Sequence, residues 1–254
     1  MNHSFGFYWL AFFGLILGRY FLIVGGAYWL FYSALVQFWT KRELHRSPPM
    51  DESMRRDIKL SVFSAVVFSL CAAVVMSGYN SGVTLLYVSW RDYGLWYLGF
   101  SYGAVLILQD AYFYVTHRIF HHSRLFKWLH QGHHRSRYPT PWTSFAFDPA
   151  EALVHGLFLV CIVFMIPLHF ITLIAVLITM TVWAVLNHMG LERFPAWFPH
   201  HWLGKWIIGP AHHSIHHRRY SLHYGLYFTV WDKLLGTHDP DYGLKFDSAC
   251  RSRN

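Results

Sequence analysis

Eight of the chain's 19 histidines fall into three boxes: His117-x-x-x-His121, His130-x-x-His133-His134 and His213-x-x-His216-His217. Neutral imidazole is a common ligand for iron, copper and zinc. Residues three or four apart share a helix face, so each box aims two or three ring nitrogens at one point. Neighbouring histidines such as His133 and His134 project about 100° apart on a helix, so one serves one metal and its neighbour a second metal or a supporting role. Structural zinc sites are usually closed by four ligands, often cysteines. Three boxes with no cysteine nearby suit a two-metal centre better.

Other residues extend the set. His188 ends an apolar segment beside the boxes and is a ninth candidate ligand, with Glu192 one turn further on. His212 offers an alternative frame for the third box, but only His213 repeats the H-x-x-H-H spacing. His223 lies close by, either supporting a ligand or simply as a surface ring. Asp110 stands two turns before His117 on the same face, with Tyr114 between. An acid in an apolar helix is costly unless paired. Two roles stay open for it: holding the ring of a ligand histidine, or pairing with an arginine or tyrosine hydroxyl. Asp232 reads as a structural capping residue.

These residues need a scaffold, and the composition says which. The chain is 54% hydrophobic, 20% aromatic and only 13% charged, the balance of a membrane protein. Apolar stretches cover 5–39, 60–76, 93–109 and 152–187, the last broken by Pro167. A helix needs about 20 apolar residues to cross the hydrocarbon core. The expected fold is all-α: an integral membrane bundle of about four spans with a cytoplasmic histidine-rich helical cap.

Six lysines and arginines lie between the first two spans, from Lys41 to Lys59, and thirteen more follow from Arg118 onward. The positive-inside bias makes their common side cytoplasmic. One shared metal site needs all boxes on that side, so 152–187 is expected to be a hairpin that turns near Pro167–His169. The mixed charges and Pro48-Pro49 within 41–57 mark a solvated loop. The N-terminus reads as an uncleaved first helix. Cys71, Cys161 and Cys250 suggest no disulfide framework or metal site. The net charge of +8 favours anionic headgroups. No motif points to nucleic acid, and nothing in the sequence sets an oligomeric state.

The order H-x-x-x-H, H-x-x-H-H, N-H, H-x-x-H-H resembles the fatty acid hydroxylase and sterol desaturase superfamily. It is most similar to the sterol C-5 desaturase branch, through DAYFYVTHRIFHHSRLFKWLHQGHH, SFAFDPAEALVH and AHHSIHHRRYSLHYGLYFTVWDKLLGT. The resemblance covers roughly 95–240. It implies a single membrane domain over 1–254, with N-terminal helices and a basic loop over 1–94 and a catalytic region over 95–240. It further implies two non-haem irons held by His117, His121, His130, His133, His134, His188, His213, His216 and His217, with O2 as co-substrate and a membrane lipid (sterol, fatty acyl or related isoprenoid) desaturated or hydroxylated in lipid biosynthesis. Many relatives carry a second histidine four residues after the one matching His188; here that position is Glu192. No G-x-G-x-x-G, C-x-x-C-H or cysteine cluster is present, so electrons are expected from an external donor of cytochrome b5, ferredoxin or flavin reductase type. Two other classes fit histidine-rich membrane chains. A metal transporter would place its ligands near the bilayer midplane, and a haem electron-transfer protein would need one histidine on each of two facing helices.

Overall fold

The structure is a computed structural model that describes residues 3–35, 51–190 and 197–251. Lys41, Arg42, Arg46, Pro48-Pro49 and Glu192 lie outside them.

The first apolar segment is one long helix, α1 (Phe5–Ala34). The Ser4 hydroxyl caps it by accepting the Phe7 N–H at 3.3 Å. Its turns widen to π geometry over Phe21–Gly25 and Leu30–Ala34. Gly25 sits where the helix passes the Trp142 indole, and a β-carbon there would come within 3.2 Å of the ring.

Helix α2 spans Asp51–Asn80. The solvated loop expected over 41–57 therefore gives way to helix at residue 51. Asp51 and Glu52 favour the positive end of a helix dipole. Helix α3 (Leu95–Phe120) carries Asp110 and ends in the first histidine box. Short helices α4 (Phe126–Leu129) and α5 (Gln131–His134) hold the second box, and a 3-10 turn follows at Pro141–Phe145.

Residues 149–187 form the expected hairpin. Helix α6 (Pro149–Met165) is followed by a turn, and α7 (Phe170–Asn187) returns. At the turn, strand β2 (Leu168–His169) pairs in parallel with β1 (Leu86–Tyr87), matching Leu86 to Leu168 and Tyr87 to His169. The His169 ring accepts the Ile171 N–H through Nδ1 at 3.0 Å and donates from Nε2 to the Val88 carbonyl at 2.7 Å, so this histidine serves the turn. Around it a core of Val105, Ile162, Val163, Leu168 and Val176 packs α3, α6 and α7 together. Helix α8 (Pro210–Arg219) carries the third box, α9 (Val230–Leu234) follows, and α10 (Tyr242–Arg251) packs back on α8 through Tyr242, Phe246 and Ala211.

Among the described residues, three helices are long and apolar enough to cross a membrane: Phe5–Ala34, Glu52–Asn80 and Phe170–Asn187. Helix α6 is apolar but shorter. Helix α3 has the length, yet its second half carries Asp110, His117 and Arg118. Large side chains such as Leu10, Leu22, Phe63, Phe100, Ile107, Met165 and Ile171 stand exposed along these helices. That outward apolar surface suits contact with lipid.

Candidate metal centre

The nine histidines read from the sequence converge. His117, His121, His130, His134 and His216 form one group, and His133, His188, His213 and His217 a second; within each, the candidate ligand atoms all lie within 4.8 Å of one another. The groups abut: the rings of His134 and His217 are 4.6 Å apart, those of His130 and His133 5.1 Å. Within box two, His134 joins the first group and His133 the second; within box three, His216 joins the first and His217 the second.

Second bonds set which nitrogen faces inward for four of the nine rings. The Nδ1 atoms of His117, His133, His188 and His216 lie 3.0, 3.2, 2.7 and 2.7 Å from the carbonyl oxygens of Tyr224, Ala146, Ala184 and Leu222. A carbonyl only accepts, so each Nδ1 carries the proton and each Nε2 turns a lone pair inward. For His130 the outward partner is a carboxylate: Glu151 Oε1 lies 2.7 Å from Nδ1, at ion-pair distance though off the N–H direction. Glu151 is buried at the start of α6, with His155 Nε2 3.6 Å away.

The inward nitrogens then meet. Nε2 of His117 is 3.1 Å from that of His130, and His134 is 3.1 Å from His216. In the second group His188 is 3.3 Å from His133 and 2.9 Å from His213, and His213 is 3.0 Å from His217. His133 and His188 both have Nδ1–H pointing outward, so their contact sets two lone pairs face to face. No hydrogen bond satisfies that pair; a shared cation does. Two imidazoles bound to one ion at about 2.0–2.1 Å stand roughly 3 Å apart, as these do. Burial, and then the neighbouring rings, hold His130, His133, His134, His213, His216 and His217 well below the usual histidine range, so all present neutral, ligand-ready nitrogen. The residues fit a pair of imidazole-bound metals.

Buried carboxylates organise the backbone that aims the rings. Asp110 does neither of the things expected of it: its Oδ1 accepts the N–H groups of Leu226, Tyr227 and Phe228 at 3.2, 2.6 and 3.3 Å. Asp232 accepts the N–H groups of Tyr224 and Gly225 and the Thr237 hydroxyl at 2.8, 3.0 and 2.7 Å, the structural role read for it. Together they fix the loop whose Leu222 and Tyr224 carbonyls orient His216 and His117. Asp57 on α2 accepts from the hydroxyls of Ser136 and Thr143, anchoring the chain just after box two. Asp148 accepts the Gly132 N–H at 2.7 Å, and a β-carbon at Gly132 would collide with that carboxylate. Box two thus needs glycine between His130 and His133.

The sequence reading assigned no role to Glu151, Asp57 or Asp148. For Glu151 a signal was present, an acid at the mouth of an apolar helix. His212 and His223 lie outside both groups, and Tyr220 and Tyr224 pack against His121 and His117 instead.

A model of the fatty acid hydroxylase family matches residues 102–237. Among curated proteins, the chain is 28% identical to a Delta(7)-sterol 5(6)-desaturase of Gibberella zeae, over 84% of this chain and 66% of the relative. It is 31% identical to lathosterol oxidase of Homo sapiens, over 74% and 62% respectively. It is 28% identical to a Delta(7)-sterol 5(6)-desaturase of Aspergillus fumigatus, over 83% and 71%. The chain spans just under two thirds of the length of the first two of these relatives. No solved structure matches it.

Proposed function

The chain belongs to the fatty acid hydroxylase family, and on that premise we propose that it is a non-haem di-iron oxidoreductase that uses O2 to desaturate or hydroxylate a membrane lipid. The observation carrying the proposal is the contact of His133 and His188, two inward lone pairs 3.3 Å apart, both set by Nδ1–H bonds to main-chain carbonyls. One iron would be held by His117, His121, His130, His134 and His216, and the other by His133, His188, His213 and His217. When bound, such a pair supplies the reduction of dioxygen and the oxidation of an unactivated C–H bond.

The protein's own residues do the rest. The Tyr224, Leu222, Ala146 and Ala184 carbonyls lock the rings in one tautomer before any metal arrives. Glu151 beside His130 raises the electron density of that ligand, as a carboxylate behind a ligating histidine does. Phe120, Phe126, Phe147 and Tyr220 wall the histidines with aromatic surface and keep bulk water from the centre. The sterol desaturase names of the relatives favour a sterol or a similarly rigid isoprenoid as substrate.

We read the fold as one domain over 1–254, with membrane helices and the basic loop over 1–94 and the catalytic region over 95–240. Helix α3 serves as a further span, its 26 residues reaching about 39 Å, and the α6–α7 hairpin enters and leaves on one side. The boxes then lie on the cytoplasmic side with most of the lysines and arginines, where an acidic electron donor of cytochrome b5, ferredoxin or flavin reductase type would dock.

The test is twofold. Purified protein should carry two irons per chain and no Soret band. Lipid extracts from cells with and without the chain should differ by a species about 2 mass units lighter or 16 heavier, for two hydrogens lost or one oxygen gained. Iron-free active protein, or a haem spectrum, overturns the reading.

A further inference from the structure

His212 is adjacent to His213 but projects about 100° away around α8, and it meets a different set of partners. His223, in the loop after α8, and His238, in the loop after α9, complete a third group with ligand atoms within 4.8 Å of one another. Ring centroids of His212 and His238 each lie 4.9 and 4.9 Å from that of His223. His212 and His223 are buried, and the Tyr242 ring stacks on His212 at 3.7 Å.

His223 is the informative member. It is 1% exposed, and neither of its ring nitrogens has a hydrogen-bond partner. Burying a ring this way is unfavourable unless something binds it. Its backbone is also left-handed, at φ 58°, a conformation that costs energy for any residue but glycine. The loop holds it there: its N–H donates to the Thr237 carbonyl at 2.9 Å, and the His238 N–H donates to the Asp232 carbonyl at 3.0 Å. Burial and the adjacent His238 push the His223 ring down to about 3, so it is neutral with a free lone pair.

We propose that His212, His223 and His238 form a separate site for a zinc-class divalent ion, which staples the third-box helix to the loops after α8 and α9. Three imidazoles without thiolate or carboxylate suit zinc with its fourth position open. His212 and His238 also line a cavity together with Lys205, Lys233 and Tyr242. The two lysines favour an anionic ligand such as hydroxide to complete the shell. His212 is the weakest ligand, because its Nδ1 accepts the Gly209 N–H at 3.2 Å. Binding through Nε2 moves the ring proton to Nδ1 and gives up that cap.

The experiment is zinc binding by the full chain in detergent, stripped with chelator and re-equilibrated with Zn2+ by dialysis. His223→Asn and His238→Gln are compared with wild type; asparagine tolerates the left-handed backbone, and His238 is the least buried of the three. Each variant should hold one zinc fewer per chain. The count is a difference, so it stands whatever metals the nine-ring centre takes. Equal zinc content in wild type and both variants overturns the site. A zinc-edge anomalous map of the wild-type chain provides the check that needs no variant: a peak among the three rings is expected, and its absence also overturns the site.

Discussion

His117 and His130 meet through Nε2 at 3.1 Å while their outer nitrogens turn to the Tyr224 carbonyl at 3.0 Å and to Glu151 at 2.7 Å. One ring ends a long apolar helix and the other begins a short turn thirteen residues later. Each is aimed by a group from a third part of the chain. The contact between the two rings is thus a property of four segments together, and the predictions follow from which segment aims which ring.

Ligand removal should be specific to the group. His117→Ala or His130→Ala removes a donor from the five-histidine group, and His213→Ala or His217→Ala from the four-histidine group. Each should abolish turnover. The four-histidine variants should lose close to one iron per chain, because that group has no donor to spare, while the five-histidine variants retain more. Iron content and product formation are measured on the same preparations. Near-normal activity in two or more of these variants would remove the shared centre.

Glu151 acts on His130 through charge and position. Glu151→Gln keeps the shape and an acceptor but loses the charge, so activity or iron affinity should fall about 10–100-fold, the usual cost of losing a partner behind a ligating ring. Glu151→Ala should fall further. Both should leave the four-histidine group loaded, which an unfolded chain would not. Iron titrations followed by absorption read the two effects separately.

The ligand boxes were legible because helical spacing alone puts His117 and His121, or His213 and His217, on one face. The partners that aim them were not, because Tyr224, Leu222, Ala146 and Ala184 contribute carbonyls, and every residue has one. Asp110 shows the same gap: its partners are main-chain N–H groups 116 to 118 residues away, which no side-chain pattern reveals. The choice of His213 over His212 rested on repetition of the H-x-x-H-H spacing, and the two residues do face different groups. The hairpin was legible from the need to keep the third box on the same side as the first two, and the chain turns at Pro167–His169.

Asp110→Ala should act at a distance. It orphans the N–H groups of Leu226, Tyr227 and Phe228, at about 1–3 kcal/mol for a buried unsatisfied group. The loop loosens and the Tyr224 carbonyl moves off His117. Thermal unfolding should start several degrees lower, and iron should be lost first from the five-histidine group. Unchanged melting would mean that the loop is held by Asp232 alone.

The proposed topology has a direct readout. Single cysteines replacing Arg55 and Asp241, in a background without native cysteines, should label with an impermeant reagent from the cytoplasmic side only. A cysteine replacing Ser81 should label from the opposite side. Labelling of positions 55 and 241 from opposite sides would break the single-sided arrangement that α3 and the hairpin create.

His188 carries the last prediction. It is 3.3 Å from His133 and 2.9 Å from His213, so it joins box two to box three within the four-histidine group, and its Nδ1 is fixed by the Ala184 carbonyl one turn back. His188→Ala leaves three donors drawn from only two segments. That variant should be inactive and should lose the iron of its group. Four residues on stands Glu192, at the position where the resemblance read from the sequence implies a further histidine. A carboxylate that ligated the ion would add negative charge and favour its higher oxidation states. One that only steadied a ring would cost about 10–100-fold when lost. Glu192→Gln should therefore be impaired while still binding iron. Full activity in Glu192→Gln would make the position a surface one. Full activity in His188→Ala would leave eight histidines to hold both metals.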